Sequence, residues 1–257
     1  MRVVVLTNHG SLFGKKMLNE FRARQIDVTA AVVIKQPLSY HWKLFNYVQK
    51  RVGYVDALLF AIERLTAHED VPTSWGGGPF VSSYEEMGIP IHYTDQTNSP
   101  QTVETLRTLA PDLLILGQTG IIRKRVIQIP KVGTLNAHPA ILPYYRGIDC
   151  ERWAIFNRDF DKIGSSVHWV DVGVDTGSII QTKRHVLTPG ETLHSLETNL
   201  ENLSVGLMAD VVASLSGGEE IEAIAQNSEQ GQQFYKMPRK YERVVKNILS
   251  NSAYAPI

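Results

Sequence analysis

The chain has 257 residues, 43% hydrophobic and 20% charged, which is about 1.7 times the ~150 residues expected of one domain and enough to bury a large core. Twenty-six basic residues balance 26 acidic ones, which argues against nucleic acid or an anionic membrane as the partner. A single cysteine, Cys150, excludes an intramolecular disulfide and a cysteine-rich metal site; with no apolar run approaching ~18 residues and no signal peptide ahead of the strand at Arg2, a cytoplasmic α/β protein is expected.

Arg2 to Thr7 is apolar on both faces, as a strand inside a parallel sheet should be. The turn Asn8-His-Gly-Ser11 follows, then a helix from Lys15 to Ile26 and a second buried strand from Val28 to Ile34. That is a βαβ unit, so a right-handed parallel sheet is predicted. The turn lacks Gly-x-Gly-x-x-Gly, which disfavours a dinucleotide. Between residues 41 and 69, Phe45, Val48, Val52, Val55, Leu59 and Ile62 mark one apolar seam on a helix or helical pair. It reads as a helical insertion packed on the parent domain, with a lid or a homo-oligomer contact as the alternative. Further strands are predicted at Ile89–Tyr93, Leu113–Leu116, Thr134–Ala137, Ser165–Val170 and Ile179–His185, with helices at Thr102–Leu109 and Cys150–Phe156. After Thr192, Leu193, Leu196, Leu200, Leu203, Leu207 and Val211 trace a core helix ended by Gly217-Gly218. The expected architecture is a Rossmann-like, mostly parallel sheet with helices on both faces. Residues 1–217 form its main domain and 218–257 a short C-terminal appendage, whose basic run from Lys236 to Lys246 reads as a solvated helical face.

The segment with the most chemistry is Asn136-x-His138-Pro139, continuing through Pro143, Arg146 and Gly147. Asn and His alternate at a strand end, so both side chains point to one side of the sheet edge. Downstream come Gly164-x-Ser166-x-His168 and Asp175-x-Gly177. Ligands bind at the carboxyl ends of such strands, so Asn136, His138, His168 and Asp175 form a candidate catalytic set. A satisfied core histidine remains the other reading of His168.

These two motifs, in this order and spacing, resemble the folate-dependent formyltransferase family, with Ala140 where the family has Ser. The group includes glycinamide ribonucleotide, methionyl-tRNA and sugar-amine N-formyltransferases. The resemblance implies transfer of a formyl group from 10-formyltetrahydrofolate to an amine, with no metal. Asn136 and protonated His138 would donate N–H groups to the oxyanion, and Asp175, fixed by His168, would accept the amine's proton. It also implies a pterin pocket at Gln118, Gly120, Ile121 and Ile122, closed on the other edge by Asp171, Val172, Gly173 and Val174. For the two isoleucines ordinary core packing is equally compatible.

Gly10 and Ser11 sit where strand one turns into its helix, and the resemblance makes them an anion contact for the acceptor, with Arg146 as a further one. Ser11 as a simple N-cap is the alternative. The expected activity is therefore N-formylation of a small amine, phosphorylated or nucleotide-linked if that turn holds an anion. The stretch after Gly218 is too short for an added RNA-binding barrel. Hydrolysis of 10-formyltetrahydrofolate to formate, and a non-catalytic folate- or nucleotide-binding module, are the two rival readings.

Overall fold

The computed structural model describes residues 1–66 and 70–251. Mostly apolar runs give β1 (Val3–Asn8), β2 (Ala30–Ile34), β5 (Ile91–Thr94), β6 (Leu113–Gly117) and β7 (Gly133–His138), with β1, β2 and β6 the most deeply buried. These five are mutually parallel, and β9 (Gly164–Trp169) and β10 (Ile179–Arg184) add antiparallel pairs at one edge. The sheet order is β10-β9-β7-β6-β1-β2-β5. Alternation along β1 divides the core: Val3 and Val5 face one layer, Val4 and Leu6 the other.

The first layer contains α1 (Leu12–Ala23) and α7 (Leu193–Ser216); the second contains α4 (Pro100–Leu109) and α5 (Lys124–Ile127). The first helix starts ahead of the expected Lys15 because Ser11 caps it, its hydroxyl accepting from the Gly14 N–H at 3.0 Å. Among the described residues no helix is long and apolar enough to cross a membrane.

The expected helical insertion is two helices, α2 (Leu38–Val52) and α3 (Tyr54–Thr66), broken at Gly53 with φ 88°. The break divides the predicted seam. Val48 is buried, but Val55, Leu59 and Ile62 remain exposed, so the seam is not one continuous packed face. Residues 67–69 of that stretch, and 252–257 of the appendage, lie outside the described residues. Two small hairpin strands follow, β3 (Ser74–Trp75) and β4 (Gly78–Pro79), around a turn at Gly76-Gly77.

A third apolar cluster joins α6 (Cys150–Phe156) and the start of α7 to the C-terminal stretch. There β11 (Gln232–Phe234) pairs in parallel with β8 (Tyr145–Gly147), and α8 (Arg239–Ser250) buries Val245, Ile248 and Leu249. The basic run is mostly paired: Lys236 meets Asp149, Arg239 meets Glu63 and Lys246 meets Glu242.

Candidate active site

Strand β7 lies between β6 and β9, and its register sets Asn136 opposite His168. Asn136 and His138 share a face by alternation, and a cross-strand partner lies on that same face. His168 donates from Nδ1 to the Trp169 carbonyl at 2.8 Å, and its Nε2 lies 3.2 Å from the Asn136 amide nitrogen. At most one amide hydrogen is engaged there, which leaves Asn136 a second. His138 donates from Nε2 to the Tyr145 carbonyl at 2.9 Å, turning Nδ1 towards Asp175.

Asp175 is held in the left-handed region, φ 52°, at the turn between β9 and β10. Gly177 lets that turn close: a Cβ there would lie 1.8 Å from the Trp169 carbonyl oxygen. The Asp175 Oδ2 accepts from the Gly147 N–H at 2.9 Å and lies 3.6 Å from His138 Nδ1; Oδ1 lies 3.6 Å from His168 Nε2. Burial alone would raise the carboxyl pKa. The charge of His138, the contacts with His168 and the Gly147 N–H outweigh it and hold Asp175 well below the usual carboxylate range. The carboxylate is thus ionised between two imidazoles, with 15% of its side chain open to solvent.

The loop after His138 is braced from β9. Ser166 donates to the Ala140 carbonyl at 2.7 Å and accepts from the Leu142 N–H at 3.0 Å. Both contacts use backbone of the 140–142 loop, so neither needs a side chain at Ala140.

Of the expected folate contacts, Gln118, Gly120 and Ile121 are exposed at the carboxyl end of β6. Gln118 and Gly120 are left-handed, and the Asn98 amide holds the Ile121 carbonyl at 2.9 Å. Ile122 instead is buried in the cluster containing Leu6, Leu116 and Val126, so its side chain serves the core. After β9, the Asp171 carboxylate accepts from the Gly173 N–H at 3.0 Å and from Thr176 Oγ1 at 2.6 Å, shaping a loop that presents Val172 and Gly173 to solvent, with Val174 half-buried. These two loops leave the strands on either side of β7.

A cavity of about 1300 Å³ opens at the carboxyl end of β1, lined by Gly10, Ser11, Gln118, Phe60, Lys236 and Arg239 among others. Ser11 is buried there: besides capping α1 it donates to Gln118 Oε1 at 3.0 Å. Asn8 donates to the Gln118 carbonyl, tying the two loops together. Arg146 is not among the lining residues. Beside the pairing of β8 with β11, its Nη2 donates to the Gly231 carbonyl at 3.0 Å. Sequence reading missed the Gly147 N–H and the Tyr145 carbonyl, because backbone donors and acceptors leave no residue-type signal.

Comparison with known proteins bears on the family and the fold. A family model described as formyl transferase matches residues 1–212. The methionyl-tRNA formyltransferase of Trichlorobacter lovleyi is 33% identical over 132 residues, 51% of this chain and 42% of that protein. That of Myxococcus xanthus is 32% identical over 143 residues, 55% of this chain and 45% of that one. The matched segment therefore spans less than half of these relatives. Glycinamide ribonucleotide transformylase 1 from Symbiobacterium toebii superposes with a TM-score of 0.58 at 18% identity, covering 88% of this chain and 94% of its own. An N-formyltransferase from Helicobacter canadensis, solved in complex with folinic acid and dTDP-3-aminofucose, gives 0.56 at 16% identity over 97% of this chain and 80% of its own. The structural likenesses show a shared fold, and the match over residues 1–212 shows descent: the chain belongs to the formyl transferase family.

Proposed function

We propose that the chain transfers a formyl group from 10-formyltetrahydrofolate to the amine of a small acceptor. The observation that carries this reading is the ionised Asp175 carboxylate, set between His138 and His168 beside an Asn136 amide with an N–H to spare. The folate would lie against Gln118, Gly120 and Ile121 on one side and residues 171–174 on the other, where exposed main chain can meet a heterocycle edge. It would supply the formyl group, whose carbon passes from the folate nitrogen to the amine by addition and then elimination. The spare Asn136 N–H is the donor for the developing oxyanion. Asp175 takes the proton released by the attacking amine, directly or through a water. Return of that proton to the folate nitrogen closes the cycle.

The acceptor would occupy the cavity of about 1300 Å³, with Gly10 and Ser11 meeting a phosphate or nucleotide at the start of α1. Ser11→Asp retains the cap, since Asp serves that position well, but brings a negative charge to the cavity. A rise in acceptor KM at saturating folate is expected, with kcat little changed. An unaltered KM would remove the anion from the acceptor.

The function itself is tested by incubating the protein with 10-formyltetrahydrofolate and a panel of small primary amines, then searching by mass spectrometry for a gain of one formyl group. An amine-dependent product supports the proposal. Formate release independent of amine would make the chain a hydrolase, formylation of aminoacyl-tRNA alone would replace the small acceptor, and no turnover would leave only binding.

A further inference from the structure

The match to the family ends at residue 212, yet the chain beyond it reaches back to the catalytic carboxylate. Gln226 Nε2 donates to the Asp175 carbonyl at 2.9 Å and to the Gly177 carbonyl at 2.6 Å. Two acceptors fix the amide's orientation, because only its nitrogen can donate to both. Next to it, Ile224 and Ile179 exchange backbone hydrogen bonds at 2.7 and 2.8 Å in an isolated antiparallel bridge. The segment 224–226 therefore runs along the turn 175–179, bound to it by backbone and side chain. That turn contains the one catalytic residue in a left-handed conformation, which a non-glycine residue keeps only when its surroundings over-determine it.

We infer that Gln226 is a positioning residue: it holds the Asp175 backbone left-handed and so aims the carboxylate at His138 and His168. The first donor of its amide holds the catalytic residue itself and the second holds Gly177, whose close approach to Trp169 closes the turn. With both carbonyls released, Asp175 relaxes towards ordinary backbone angles and its carboxylate leaves the Gly147 N–H. Misplacement on the scale of ~1 Å costs about 10²-fold in rate.

Gln226→Met keeps length and volume and deletes both donors; Gln226→Glu keeps the shape and sets a carboxylate against two carbonyls. For each, amide hydrogen exchange is followed in peptides covering 170–180, thermal unfolding is recorded, and kcat and KM are measured for the amine identified with the parent protein. Exchange in that turn is expected to quicken by about tenfold or more, with kcat down by about 10- to 100-fold and the KM for the amine held within about threefold. Val245→Ala in α8 is the control for a merely loosened appendage, and it should lower the melting temperature without moving the exchange of 170–180 or kcat. The inference is overturned if exchange at the turn is unchanged in a folded Gln226→Met protein, or if Val245→Ala reproduces its kinetic loss. The kinetic arm rests on the formyl-transfer reading. A parent protein that formylates nothing defeats that reading alone, because the exchange measurement still decides whether Gln226 holds the turn.

Discussion

Asp175→Asn is expected to lower kcat by about 10²–10⁴-fold, the range for loss of a positioned proton acceptor. The amide keeps the carboxylate's shape and can still accept from the Gly147 N–H, so folding should survive. What disappears is the charge between His138 and His168. Asn136→Ala, which deletes the proposed oxyanion donor, should cost about 10²–10³-fold. Combined with Asp175→Asn, it should cost less than the product of the two, because the residues act on one transition state. A folded Asp175→Asn protein with near-parental turnover would remove the carboxylate from the mechanism.

The same substitution changes the response to acid. Asp175 in the folded protein ionises at lower pH than an unfolded Asp at ~3.9. Its ionisation therefore contributes stability that is complete above the unfolded value and is lost as pH falls through the folded one. Unfolding curves of parent and Asp175→Asn should thus differ most near neutrality and converge in strong acid. A constant difference down to the acid limit would mean that the carboxylate's charge does not stabilise the fold.

The sequence carried the sheet far better than it carried the connections between its strands. Short buried runs such as Val3–Leu6 and Leu113–Leu116, bounded by turn signals, read as central parallel strands, and the alternation of Asn136 with His138 places both on one face. The helix at Cys150–Phe156 has the predicted bounds, and that after Thr192 begins where a capping box places it. The three-residue strands β8 and β11 were illegible, since so short a pairing depends on which chains meet, not on local pattern. Their meeting turned Arg146 to Gly231 and brought Gly147 to Asp175. Ile121 and Ile122 are equivalent as letters, yet one is 73% exposed and the other 6%. The sheet, not the motif, decides between them. The single residue Gly53 likewise broke a seam whose spacing alone read as continuous.

Gly147→Ala should combine a fold defect with a catalytic one. Gly147 has φ 105°, and a Cβ there would lie 2.2 Å from the Phe234 carbonyl oxygen. That carbonyl also accepts from the Ile148 N–H at 3.2 Å, and the Phe234 ring stacks on Tyr145 with centroids 4.8 Å apart. An added methyl must drive β11 away from β8, on top of the ~1–3 kcal/mol cost of a strained backbone conformation. The displacement reaches the site by two short routes, since Gly147 donates to Asp175 and the Tyr145 carbonyl accepts from His138. A fall in kcat of about 10²-fold is expected from the shifted pair, with a lowered midpoint of denaturant unfolding. The double variant Gly147→Ala, Asp175→Asn separates the two effects. If Gly147 serves catalysis through the carboxylate, the kinetic losses overlap, so the double variant is barely slower than Asp175→Asn alone. The strain at Gly147, in contrast, should persist in the double variant's stability. Kinetic losses that multiply in full would place the Gly147 effect on the fold alone and remove its N–H from the support of Asp175.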